Sequence, residues 1–155
     1  MNAPAFRFQP PDPHYAERCR ASFGRQQAMR LIGARMSSVQ PGLVEIELAY
    51  RDDLTQQKGY IHGGIVGMIA DSACGYAAYS LMPASSSLVT VEYKINLLAP
   101  AVGETLLAHG EVLKAGRKLT ITRGDVYARK AGDSVHVAIV QQTLMMLPDT
   151  SDSPE

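Results

Sequence analysis

A chain of 155 residues, 46% hydrophobic and 19% charged, has the composition of a globular protein and the length of one domain, since domains cluster near about 100–150 residues. Fifteen basic residues offset fifteen acidic ones, so no overall field draws it to nucleic acid or to an anionic membrane. The N-terminus MNAPAFRFQPPDP lacks the apolar core of a signal peptide, and the longest apolar run, Ile61 to Met82, is broken by Asp71, Ser72 and several glycines; a cytoplasmic protein with no membrane or nucleic-acid partner is expected.

Residues 1–12, rich in proline and polar groups, read as a flexible or loosely docked arm. A single domain is then expected over 13–147, and 148–155 as a disordered tail. Asp12-Pro13 resembles an N-cap with proline in the first turn, and Tyr15, Cys19, Ser22 and Phe23 recur at helical spacing, which predicts a helix ending near Gly24 or somewhat later. Strand patterns follow over Leu31–Val39 and Leu43–Tyr50, with Pro41-Gly42 turning between them. Gly63 to Leu81 is apolar almost all round, as in a helix buried on most sides, and Pro83 stops it.

The remainder reads as four strands: Leu88–Leu98, Thr105–Ala115, Leu119–Ala128 and Ser134–Leu147. In the first of these Val89, Val91, Tyr93, Ile95 and Leu97 alternate with Thr90, Glu92, Lys94 and Asn96. No alternating βαβ units are present to build a parallel sheet, so the class is α+β, with a curved antiparallel β-sheet wrapped around a long central helix. Cys19 and Cys74 are far apart and lack metal-ligand spacing, so free thiols and no metal are expected.

Between Gly59 and Pro83 the only formally charged side chain is Asp71, in the middle of the apolar helix. A carboxylate removed from water without partners costs several kcal/mol or takes up a proton. A hydrogen bond to a neighbouring strand or subunit would explain it as well as chemistry would. His62-Gly63-Gly64 opens the same helix, where unpaired N–H groups and the positive dipole end favour incoming negative charge. Glycines there let a carbonyl approach the backbone, or merely relieve crowding. Eight residues at about 1.5 Å each place Asp71 about 12 Å from Gly63, too far for one carbonyl to meet both. If both serve one reaction, Asp71 of one subunit must face Gly63 of another, in a two-fold homodimer with two sites.

The run His62-Gly63-Gly64, the aspartate nine residues after the histidine, the strand Val89-Thr90-Val91-Glu92-Tyr93-Lys94-Ile95-Asn96-Leu97-Leu98-Ala99-Pro100-Ala101 and the later Gly103 together resemble the PaaI-type acyl-CoA thioesterases of the hotdog superfamily, over about residues 30 to 147. The resemblance implies an acyl-CoA substrate, no cofactor beyond the CoA it carries, and a homodimer or homotetramer. By position it implies Asp71 as the group that activates water or attacks the thioester, Gly63 as oxyanion donor, and His62 as the residue ordering the loop. Gln56 falls where relatives carry an amide, with Gln57 the alternative, and Thr90 where they hold the attacking water with a hydroxyl. Gly64 would line the approach of the substrate. CoA phosphates want basic partners, and Arg117, Lys118, Arg129 and Lys130 stand at the turns. Met68, Tyr76, Tyr79 and Met82 are candidates to line the acyl group. His109 and His136 read as structural and His14 as a surface residue.

Two rivals share the architecture. A hotdog hydratase or dehydratase places a carboxylate further along the central helix, yet Cys74 to Ser80 contains none. A non-catalytic acyl-CoA-binding module has no positive signal here and would leave Asp71 without a purpose.

Overall fold

The computed structural model describes residues 7–153. Helices α1 (Tyr15–Arg25) and α2 (Gln27–Ile32) precede strands β1 (Arg35–Gln40) and β2 (Leu43–Ala49). A single turn of 3-10 helix at Asp52–Leu54 leads to the long helix α3 (Gly63–Tyr79), followed by β3 (Ser87–Leu97), β4 (Thr105–Ala115), β5 (Leu119–Lys130) and β6 (Asp133–Leu147). The six strands form one antiparallel sheet in the order β1-β2-β4-β5-β6-β3. This is the hotdog arrangement expected from the sequence: α3 packs on one face of the sheet, and β3 is carried to the far edge.

Helix and sheet approach closely at Gly110 of β4, where an added Cβ would lie 2.4 Å from the Ala73 carbonyl carbon. Any side chain there would push α3 off the sheet. The core between them is drawn from alternate strand residues such as Val44, Ile46, Leu106, Val126 and Val140, and from Val66, Ile69, Ala73 and Ala77 of the helix. Arg18 of α1 braces the far end of α3. Its guanidinium donates to the carbonyls of Tyr79, Met82 and Pro83 and pairs with the buried Asp12 at 2.8 Å, satisfying acceptors that a helix C-terminus leaves open.

The structure corrects three expectations. Leu31 is helical, not the start of a strand: Met29 and Ile32 are buried at helical spacing while Leu31 is 78% exposed, and Gly33, at φ +77°, ends α2. The strand alternation of β3 is interrupted by a bulge between Thr90 and Glu92. One extra residue changes the parity, so Thr90 reaches α3 as do Tyr93 and Ile95 further along. Arg7 donates to the Leu113 carbonyl and Phe8 packs on the core; residues 1–6 of the expected flexible or loosely docked arm lie outside the described residues. Residues 148–153 of the tail are bound rather than disordered, because Asp152 pairs with Arg25 at 2.6 Å and the Thr150 N–H donates to the Ser85 carbonyl; residues 154–155 lie outside the described residues.

Both cysteines are free and buried. Burial pushes the thiols of Cys19 and Cys74 and the phenol of Tyr76 each up to about 12. In the unfolded chain these groups ionise near about 8.5 and 10, so between roughly pH 9 and 12 the unfolded state loses protons that the native state keeps. That sign makes stability fall as pH rises through the window. The melting temperature is expected to be level between about pH 7 and 8 and to drop progressively above about pH 9; a melt unchanged up to about pH 11 would contradict this account of the buried groups.

Candidate active site

One face of α3 carries Gly63, Gly67, Asp71 and Gly75, four residues apart and therefore one above another. This face runs beneath β3. A Cβ on Gly63 would touch Leu97, one on Gly67 would approach Tyr93 and Ile95, and Asp71 meets Thr90 directly. The missing side chains let the edge strand lie close to the helix, so Asp71 projects where its neighbours leave room.

Asp71 Oδ1 accepts from Thr90 Oγ1 at 2.8 Å and from the Gln142 amide nitrogen at 2.6 Å. The same amide nitrogen lies 3.0 Å from Thr90 Oγ1. Oδ2 forms no hydrogen bond among the described residues. One oxygen is thus held by two donors, each worth about 1.5–3 kcal/mol when the acceptor is charged, and the other has none among the described residues. The carboxylate opens on a cavity of about 130 Å³ bounded by α1, α3, β3 and the tail, with Gln26, Ser72, Tyr76, Tyr79 and Asp152 among its walls. Of the four residues expected to line an acyl group, Tyr76 and Tyr79 border this cavity. Met68 and Met82 do not: Met68 packs on the core and Met82 lines a different depression with Pro11 and Ala78.

His62, Gly63, Gln56 and Gln57 gather around a second, open groove of about 500 Å³. His62 is the N-cap of α3: its Nδ1 accepts from the Gly64 N–H at 2.9 Å. That bond places the ring proton on Nε2, and it occupies the Gly64 N–H. The first-turn N–H of Gly63 makes no hydrogen bond among the described residues. Gln56 accepts from the Lys58 N–H through its side-chain oxygen, and its backbone N–H donates to Tyr60.

No residue borders both the Asp71 cavity and the Gly63 groove. Asp71 and Gly63 therefore border separate depressions, about 12 Å apart along the helix. The basic residues divide likewise. Arg117 and Lys118 precede β5, Arg129 and Lys130 end it, and all four are exposed; the ten strand residues between Lys118 and Arg129 hold the pairs about 36 Å apart, at opposite ends of the strand. His109 and His136 lie on the sheet face away from α3. His109 is 3.3 Å from Glu45, and His136 stacks on Tyr127 with Nε2 2.8 Å from Asp125. The His136–Asp125 approach is close but not aligned as a hydrogen bond. His14 is exposed beside Glu17. Among the described residues no group of three or more His, Cys, Asp or Glu is arranged to hold a metal ion, and no helix is long and apolar enough to cross a membrane.

Gln142, Gln26 and Asp152 were not anticipated. Gln142 had a signal: in β6 it shares parity with Ala138, Val140 and Leu144, so a polar residue stands on the buried face. Asp152 had none, because a polar tail carries no periodicity.

A model of the thioesterase superfamily matches residues 58–134. A thioesterase family protein from Silicibacter pomeroyi, of known structure, is 46% identical with a TM-score of 0.85, covering 86% of this chain and 98% of that one. Human acyl-coenzyme A thioesterase 13 is 28% identical over 96 residues, covering 61% of this chain and 68% of that protein. PaaI of Escherichia coli, from the phenylacetic acid degradation operon, has the same fold at 18% identity with a TM-score of 0.77, covering 86% of this chain and 93% of that one.

Proposed function

The chain belongs to the thioesterase superfamily and is a thioester hydrolase, and we propose that it cleaves acyl-CoA at two composite sites, each joining Asp71 of one protomer to Gly63 of a second copy. The observation that carries this reading is Asp71 itself, tethered through Oδ1 alone beneath an edge strand that pairs with β6 on one side and, among the described residues, with no strand on the other.

β3 links the two half-sites: Thr90 lies at Asp71 and Leu97 over Gly63. Its free edge exposes backbone donors and acceptors, and Val89, Val91, Tyr93 and Leu97 are 42–59% exposed. A long apolar edge of this kind invites pairing. Two copies of β3 running antiparallel about a two-fold axis at Lys94 bring the bulge at Thr90 of one opposite the partner's Leu97, and so Asp71 towards the partner's Gly63. That closes the gap that a single helix cannot.

In such a site a water gives its proton to Asp71 Oδ2 as its oxygen attacks the thioester carbonyl. Thr90 donates to Asp71 and accepts from Gln142, which leaves one lone pair to hold that water. The developing oxyanion takes the N–H of the partner's Gly63, with the helix dipole behind it. Collapse breaks the C–S bond, and the proton held by Asp71 goes to the departing CoA thiolate. The free acid and CoA leave. His62 acts by ordering the helix start, and Gln56 faces the same groove.

Steady thiol release from a panel of acyl-CoAs, read with a thiol reagent, is the test. Release with at least one chain class is expected, with enoyl-CoA keeping its conjugated absorbance apart from hydrolysis. No release from any acyl-CoA, or loss of the conjugated absorbance without thiol release, would overturn the reading.

A further inference from the structure

Gln142 is 1% exposed on β6, between β3 and β5, and it touches neither the water nor the thioester in the hydrolysis outlined above. A carboxylate offers only acceptors, so the group of Gln142 that lies 2.6 Å from Asp71 Oδ1 is its NH2. One amide hydrogen goes to Asp71. The other points to Thr90 Oγ1, 3.0 Å away. A hydroxyl that accepts from the amide has its own hydrogen to give, and the acceptor within reach is Asp71 Oδ1 at 2.8 Å. The three groups therefore close a ring in which each hydrogen has one place. Gln142 holds this orientation although its own Oε1 finds no donor among the described residues, and buried polar atoms are seldom left so.

We propose that Gln142 is a positioning residue for thioester hydrolysis: its amide commits the Thr90 proton to Asp71 Oδ1 and so leaves Oδ2 as the oxygen that meets the water. The inference rests on Asp71 acting on that water. The bulge of β3 belongs to the same device. Thr90 pairs with Leu144, and Tyr93 with Gln142; the extra residue turns Thr90 inward beside the amide. Without the amide, the Thr90 hydroxyl is free to rotate and the carboxylate to turn about χ2, so either oxygen faces the cavity.

Gln142→Met keeps an unbranched side chain of similar length and removes the donor. Its kcat is expected to fall roughly 10²-fold, the cost of a misplaced reacting group, with KM within about threefold because substrate binding is untouched. Gln142→Glu restores the donor only when its carboxyl is protonated, so its kcat relative to the native protein should climb as pH falls from about 8 towards 5. Added to Asp71→Asn, Gln142→Met should cost nothing further, since it acts through Asp71. Native kcat in Gln142→Met, a Gln142→Glu profile parallel to the native one, or multiplied losses in the double variant would each overturn the proposal. Should Gln142→Met fail to fold, the Gln142→Glu profile decides alone. Full activity of Asp71→Asn by itself would instead remove the reading beneath it.

Discussion

Asp71→Asn is expected to lose about 10³-fold in kcat, within the range that general bases contribute, while keeping its fold, its assembly and its melting temperature. The substitution is unusually selective here. The asparagine carbonyl can take the place of Oδ1 and accept from Thr90 and Gln142, whose donors lie 2.8 and 2.6 Å away. The NH2 then occupies the place of Oδ2, the oxygen that makes no hydrogen bond among the described residues. The tether survives and the acceptor for the water proton is gone. Thiol release within about threefold of native would show that Asp71 holds β3 to the helix and does nothing more.

Gly63→Pro is the complementary variant, expected to cost about 10²–10³-fold in kcat, as loss of one oxyanion donor does elsewhere. Gly63 is the first residue of α3, the position where proline is best tolerated because its N–H has no partner within the helix. His62, at φ −60° and ψ 137°, already has the extended backbone required before proline. The added ring meets the flexible end of Leu97, a Cβ there lying 2.8 Å from its Cδ1, so that side chain must shift. The variant removes one N–H and leaves the helix. Folded protein with native thiol release would exclude the Gly63 N–H from the chemistry.

Most of the fold was legible because its periodicities are long and clean. β4 falls on Thr105–Ala115 as expected, and α3 starts at Gly63 as expected. The failures have local causes. α2 is six residues long and runs into β1 through Gly33, so its apolar residues Met29, Leu31 and Ile32 resemble the head of a strand. The bulge in β3 is invisible to an alternation rule, since Val89 to Leu97 alternates without a break in sequence while the chain slips by one residue in space. That slip decides which side chain Asp71 meets. The candidate site was legible where chemistry stands out against apolar surroundings, at Asp71 and at His62-Gly63-Gly64. Gln142 stood out less, because its partner is 71 residues away in sequence and a single glutamine in a strand is common. The glycine stripe Gly63, Gly67 and Gly75 could have been read from its spacing as the face that accepts β3.

The composite site is tested most directly by mixing Asp71→Asn with Gly63→Pro, unfolding the two together and refolding them. Each variant alone is expected to keep about one hundredth of native activity or less. In a mixed dimer one site combines the intact Asp71 of one protomer with the intact Gly63 of the other, while the second site carries both lesions. Random pairing makes half the dimers mixed, each with one working site of two, so the mixture should recover about one quarter of native activity. A mixture no more active than its parents would contradict the account, because two groups that act within one protomer cannot be restored by exchange between protomers.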